Sequence, residues 1–140
     1  MTDRVELQTE VDAPRIAVFP LLASAEGLGR WLDGAELEPR VGGEVRIRML
    51  DALAVGEVLA LDEPQHVSFT WDWEGEPLGV TSVVALDAID HGARTHVTLR
   101  HVGLPSARQV ELHRSLWEYW LSRFEDVARA LPAKVETTHP

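Results

Sequence analysis

Ser106-Ala107-Arg108-Gln109-Val110-Glu111-Leu112-His113-Arg114-Ser115-Leu116-Trp117-Glu118-Tyr119-Trp120-Leu121-Ser122-Arg123-Phe124-Glu125-Asp126-Val127-Ala128-Arg129-Ala130-Leu131 is the stretch whose reading decides the fold. Val110, His113, Trp117, Trp120, Phe124, Val127 and Leu131 recur at alternating steps of three and four, so they share one face of a helix. Leu116, Leu121 and Ala128 widen that stripe, and Glu111, Arg114, Glu118, Arg123, Glu125 and Arg129 fall mostly on the opposite face. Ser106 and Gln109 form a capping box at the start, and Pro132 ends the helix. The spacing predicts one broad aromatic helix over about 106–131. Such a helix needs a large apolar surface to lie on, and a single curved sheet supplies one.

The chain before this helix reads mostly as strands. Arg4 to Asp12 alternates with Val5, Leu7, Thr9 and Val11 on one face. Asp12 is placed as an N-cap, with Pro14 in the first turn of a short helix that Pro20 kinks or ends early. Ser24 caps a second short helix running through Leu28 to Trp31 and Leu32. Strands are then expected at 35–38, at 45–49, at 55–61, at 67–73, at 80–88 and at 94–102, separated by short turns such as Asp90-His91-Gly92. Short turns between strands imply an antiparallel sheet.

Composition narrows the function. The 140 residues suit one domain, assigned to 1–132, with 133–140 read as a flexible tail. A net charge of −10 disfavours nucleic acid and anionic membrane surfaces as partners. The absence of cysteine removes disulfides, thiol catalysis and thiolate metal sites. No apolar leader or membrane-length run is present, so the expectation is a cytoplasmic protein. His96 and His101 differ by five along a strand and point to opposite faces, and there is no His-x-x-x-His or His-Glu pair. Neither a metal nor a cofactor is therefore expected. A Gly-x-Ser-x-Gly elbow and a P-loop are both missing.

The element order resembles the START-like (Bet v 1-like, SRPBCC) superfamily, and within it the bacterial relatives of the activator of heat-shock protein 90 ATPase. The residues that carry the resemblance are Val11-Asp12-Ala13-Pro14, Leu28-Gly29-Arg30-Trp31-Leu32 and Glu38-Pro39-Arg40-Val41-Gly42-Gly43. Gly56-Glu57-Val58-Leu59, Val67-Ser68-Phe69-Thr70-Trp71, Thr98-Leu99-Arg100-His101 and Trp117-Glu118-Tyr119-Trp120-Leu121 continue it in order. The resemblance implies an α+β helix-grip fold. In that fold a seven-stranded antiparallel sheet wraps round the C-terminal helix, with two short helices between the first two strands and a cavity under the long helix. It implies no single activity, because relatives bind small molecules, transform them, or bind a chaperone.

The residues place a candidate ligand site in that cavity. Phe69, Trp71 and Trp73 share a strand face, and Trp117 and Trp120 look toward the sheet from the long helix. Trp31, Met49, Val110, His101 and His113 complete the set, the histidines being candidate polar anchors. The competing reading of this cluster is a packed core with hydrogen-bonded histidines. Glu57 shares strand parity with Val55, Leu59 and Leu61, which would aim it inward as an acid; a bulge, or a rim salt bridge with Arg46 or Arg48, is the alternative. Arg46, Arg48, Asp72 and Arg100 are read as solvated. The expected function is binding of a small hydrophobic or aromatic molecule, with no catalytic residue assigned. The rivals are a polyketide cyclase or dehydratase using His101 or Glu57, and a chaperone-interacting module. A chaperone and a second copy of the chain are the protein partners left open.

Overall fold

A computed structural model describes residues 4–131. The elements run β1 (Val5–Val11), α1 (Arg15–Ala23), α2 (Ala25–Leu28), β2 (Gly34–Leu37), β3 (Glu44–Met49), β4 (Ala52–Asp62), β5 (His66–Trp73), β6 (Ser82–His91), β7 (Arg94–Val102) and α3 (Ala107–Arg129). The strands form one seven-stranded antiparallel sheet in the order β1-β7-β6-β5-β4-β3-β2. This is the α+β helix-grip arrangement expected from the sequence. The expected tail, 133–140, lies outside the described residues.

Helix α3 forms where the periodicity places it. Ser106 Oγ accepts the Gln109 backbone N–H at 3.2 Å, and Val110, His113, Trp117, Trp120, Leu121, Phe124 and Ala128 are buried. Val127 and Leu131 pack at the edge of the same core. One expectation at the other end is corrected. The N-cap of α1 is Pro14, with no side-chain cap, rather than Asp12. Pro20 lies inside α1 without ending it, and the helix runs three residues further to Ala23. A one-turn overhang is possible because Pro20 removes a single amide donor close to the helix end, where few bonds depend on it. Ser24 does cap α2, accepting the Gly27 N–H at 2.9 Å.

Strand β4 decides between the two readings of Glu57 in favour of a bulge. Its inward face carries Ala54 and Val58, both 1 % exposed, and Glu57 is exposed on the outer face. The pairing with β5 slips between Val58 and Ala60, so Leu61 turns to the core while Leu59, 44 % exposed, stays on the outer side with Glu57. Gly56 sits where a Cβ would lie 1.8 Å from the Thr70 carbonyl oxygen, so β5 crosses β4 closely only because that side chain is missing. Glu57 cannot act as an interior acid, and Arg46 pairs instead with Glu36 and Glu44, at 3.8 and 3.9 Å.

Candidate functional site

The sheet and α3 enclose a core of large side chains. Trp31, Phe69, Trp71, Trp117, Trp120 and Phe124 are each at most 1 % exposed. Trp31 meets Phe124 edge-on, and its indole N–H donates to the Leu21 carbonyl at 2.8 Å. Arg123 lies over the Trp120 ring, 5.1 Å from its centroid, and donates from Nε to the Trp31 carbonyl. This half of the predicted site, Trp31 and Trp120, is packing.

The other half is a network of rings running from the core to the surface. Trp71 contacts Trp73 and Trp117 at centroid distances of 5.3 and 5.1 Å, and His101 contacts His113 at 4.9 Å. Indole N–H groups only donate, so each histidine nitrogen facing one must be an acceptor. Trp117 Nε1 donates to His101 Nδ1 at 3.0 Å, leaving His101 Nε2–H to donate to Ser82 Oγ at 2.9 Å. Ser82 Oγ–H passes the chain to the Trp71 carbonyl at 2.7 Å. Trp73 Nε1 donates to His113 Nε2 at 3.0 Å, and His113 Nδ1–H donates to the Gln109 carbonyl at 2.8 Å. Both imidazoles are thus held neutral, each in one tautomer. Burial and the neighbouring His113 push His101 down to about 3. Burial also lowers His113, against the opposing pull of the Gln109 carbonyl.

Outward from this network lies an open cleft of about 880 Å³. Met49, Leu50, Asp51 and Ala52 form one wall, and Trp73, Glu76, Pro77 and Leu78 the second. Gln109, Leu112, His113 and Leu116, from the first turns of α3, form the third. Leu50 and Leu112, 63 % and 53 % exposed, present adjoining apolar surface to this concavity. Of the residues expected to bind a ligand, Met49, Trp73 and His113 line this cleft. Phe69, Trp71, His101, Val110 and Trp117 stand behind it, buried.

Two aspartates build the walls. Asp33 Oδ2 accepts the Leu50 N–H at 2.6 Å, holding Leu50 at φ 56°, a left-handed conformation rare for a branched side chain. Asp72 Oδ1 accepts the N–H groups of Trp73 and Leu78, at 2.8 and 2.7 Å, and so folds the β5–β6 loop back beside Trp73. Asp72, expected to be solvated, instead organises this wall, and Asp33, Leu50, Leu78, Leu112 and Leu116 are cleft residues that the sequence pattern does not single out as such. One signal was available: an aspartate shortly before a Gly-rich turn, Glu74-Gly75-Glu76-Pro77, is a frequent turn organiser.

A seven-stranded antiparallel sheet, a long C-terminal helix and a cleft at the helix N-terminal end together define the START-like helix-grip class. Within that class, the sequence profile described as activator of Hsp90 ATPase homolog 1-like protein matches residues 12–129, and the chain belongs to this family. No curated protein matches the sequence. Solved structures agree on the fold. The Mesorhizobium loti protein MLL2253 superimposes with a TM-score of 0.82 at 19 % identity, covering 92 % of this chain and 98 % of that one. CalU16 from Micromonospora echinospora gives 0.72 at 23 %, covering 91 % and 76 %. An HSP90 activator from Plasmodium falciparum, PFC0360w, gives 0.75 at 21 %, covering 90 % and 96 %. Among the described residues no helix is long and apolar enough to cross a membrane.

Proposed function

We propose that the protein binds a small apolar, partly aromatic molecule in the cleft between the β3–β4 turn, the β5–β6 loop and the first half of α3. The observation that carries this reading is the pair of exposed leucines, Leu50 and Leu112, facing a concavity floored by Trp73. Leucine side chains held open beside an indole gain from any apolar body that covers them. The polar groups left for an anchor are the Gln109 amide and the rim carboxylates Asp51 and Glu76. With two carboxylates and no lysine or arginine among its lining residues, the cleft favours neutral or cationic ligands over carboxylate amphiphiles. His101 is an unsuitable anchor or general base, because it is fully buried with both nitrogens engaged.

The neutral dye Nile red tests this reading. Its emission should rise saturably, and Leu112→Gln and Leu116→Gln should each weaken binding ~5- to 30-fold, the loss of about 1–2 kcal/mol of apolar contact. Unchanged affinity in both variants, or no saturable signal, would remove the proposal. Family membership favours a second reading, contact with a chaperone of the heat-shock protein 90 class. The steady-state ATPase rate of that chaperone from the same host, with and without this protein, tests it; an unaltered rate counts against it.

A further inference from the structure

The outer face of the sheet, on the side away from α3, brings together three groups that lie far apart in the sequence. Glu10 on β1 pairs directly with His96 on β7, and His91 at the end of β6 sits diagonally across from His96. One ligand atom from each of the three lies within 4.8 Å of the other two. The rings of His91 and His96 stack with centroids 5.5 Å apart. His91 Nδ1–H donates to Glu10 Oε2 at 2.8 Å.

His96 is the informative member. Its Nε2 bonds to Gln8 Oε1 at 2.9 Å, and since an amide oxygen only accepts, Nε2 carries the proton. Nδ1 is therefore a bare lone pair. That atom is buried, has no hydrogen-bond partner, and faces Glu10 Oε1 at 3.8 Å. Two acceptors looking at each other at this distance, with no donor between them, repel. A cation placed between them turns the repulsion into coordination. The arrangement around His96 is also the one that ligating imidazoles show: one nitrogen is fixed on an oxygen acceptor so that the other points at the ion.

We propose that Glu10, His91 and His96 form a site for a divalent transition-metal ion of the zinc type. Two imidazoles and a carboxylate are donors suited to Zn²⁺ rather than to Mg²⁺ or Ca²⁺, which prefer all-oxygen shells. Ligand bonds of about 2.0–2.2 Å put tetrahedral donors roughly 3.3–3.5 Å apart. The observed spread closes to this by rotation of Glu10 and His91, whose side chains are 34 % and 50 % exposed. His91, in contact with solvent, moves its proton to Nε2 through water and presents Nδ1. Three protein ligands leave one position of a tetrahedral shell for water or a further donor. The site stands on the opposite face from the cleft and is independent of ligand binding there.

Calorimetric titration of the chelator-treated full chain with zinc chloride tests the proposal. One ion should bind per chain, while magnesium chloride gives no heat of binding. His91→Gln, His96→Gln and Glu10→Gln should each weaken zinc binding at least ~10-fold, and Gln8→Ala, which removes the orienting acceptor, by a comparable factor. His66→Gln, on the same face but outside the site, should bind as the unaltered protein does. Each variant should melt as the unaltered chain does in chelator, which separates lost ligation from lost folding. In a nitrogen-edited NMR spectrum the His96 Nδ1 resonance should shift on adding zinc while Nε2 stays protonated. Absence of one-to-one binding, equal binding of magnesium, or zinc affinity unchanged in His96→Gln would overturn it.

Discussion

A histidine fixed by a tryptophan donor carries a pH signature. His101 has its proton affinity depressed to about 3 in the folded chain, against about 6.5 when unfolded. The unfolded state therefore binds the extra proton first, and folding stability contributed by neutral His101 is complete above pH ~6.5. It is lost as pH falls from there toward about 3, at up to ~1.4 kcal/mol per pH unit. Protonation would also set His101 Nδ1–H against the Trp117 N–H, which leaves both without an acceptor. Denaturant melts at pH 7, 5.5 and 4.5 should show His101→Asn destabilised at pH 7 and converging on the unaltered protein as the pH drops; a constant gap would contradict the assignment. Leu50 makes a second residue-scale test. Its left-handed backbone costs a branched side chain roughly 1 kcal/mol, and asparagine tolerates that conformation. Leu50→Asn should raise stability by ~0.5–1 kcal/mol in urea melts while weakening Nile red binding, the pattern expected of a residue kept for contact with a ligand.

Elements contribute unequally to the core and to the cleft. Helix α3 anchors the core through Trp117, Trp120 and Phe124, so Trp120→Ala should cost ~3–5 kcal/mol and leave the cleft geometry largely intact. A loss below ~1 kcal/mol would show that the helix is not gripped by the sheet. The β5–β6 loop behaves differently. It is tied through one carboxylate oxygen of Asp72 to two backbone donors. Asp72→Ala should cost only ~1–2 kcal/mol in stability but should lower Nile red affinity, because Leu78 and Pro77 then lose their position beside Trp73. Amide exchange at Leu78 is the direct measurement, and it should accelerate in the variant.

The whole molecule divides its labour between two faces. The concave face packs against α3 and opens at one end into the apolar cleft, whose charged rim is acidic; the convex face carries polar networks, including Glu10, His91 and His96. With a net charge of −10, long-range attraction favours cationic ligands at low ionic strength. A cationic amphiphile such as dodecylamine should therefore displace Nile red at lower concentration than laurate. The difference should shrink with added salt, and Asp51→Asn with Glu76→Gln should reduce it further. Equal displacement by the two chains would show that the rim carboxylates have no part in selection.

Local patterns in the sequence set the elements and their apolar faces, and the family resemblance implied how they assemble into a helix-grip. Period-3.6 spacing from Val110 to Leu131, period-2 spacing in the strands and short polar turns are local patterns, and each encodes which side of an element is apolar. The same patterns placed Trp73, His113 and Met49 at the helix–sheet junction. They did not separate packed aromatics from cleft-lining ones, because Trp71 and Trp73 share strand parity and differ only in how α3 crosses above them. Parity misassigned Glu57 because the slip between Val58 and Ala60 turns Leu61 inward while Val55, Glu57 and Leu59 stay outside, a change of register that no local pattern reveals. Only the tertiary structure paired the indole donors with His101 and His113, set Asp33 and Asp72 on the cleft walls, and joined Glu10 to His91 and His96. Apart from the local Asp72 bonds, those contacts span 16 to 86 residues of chain, and side-chain chemistry at such separations depends on strand order and register, which no local pattern contains.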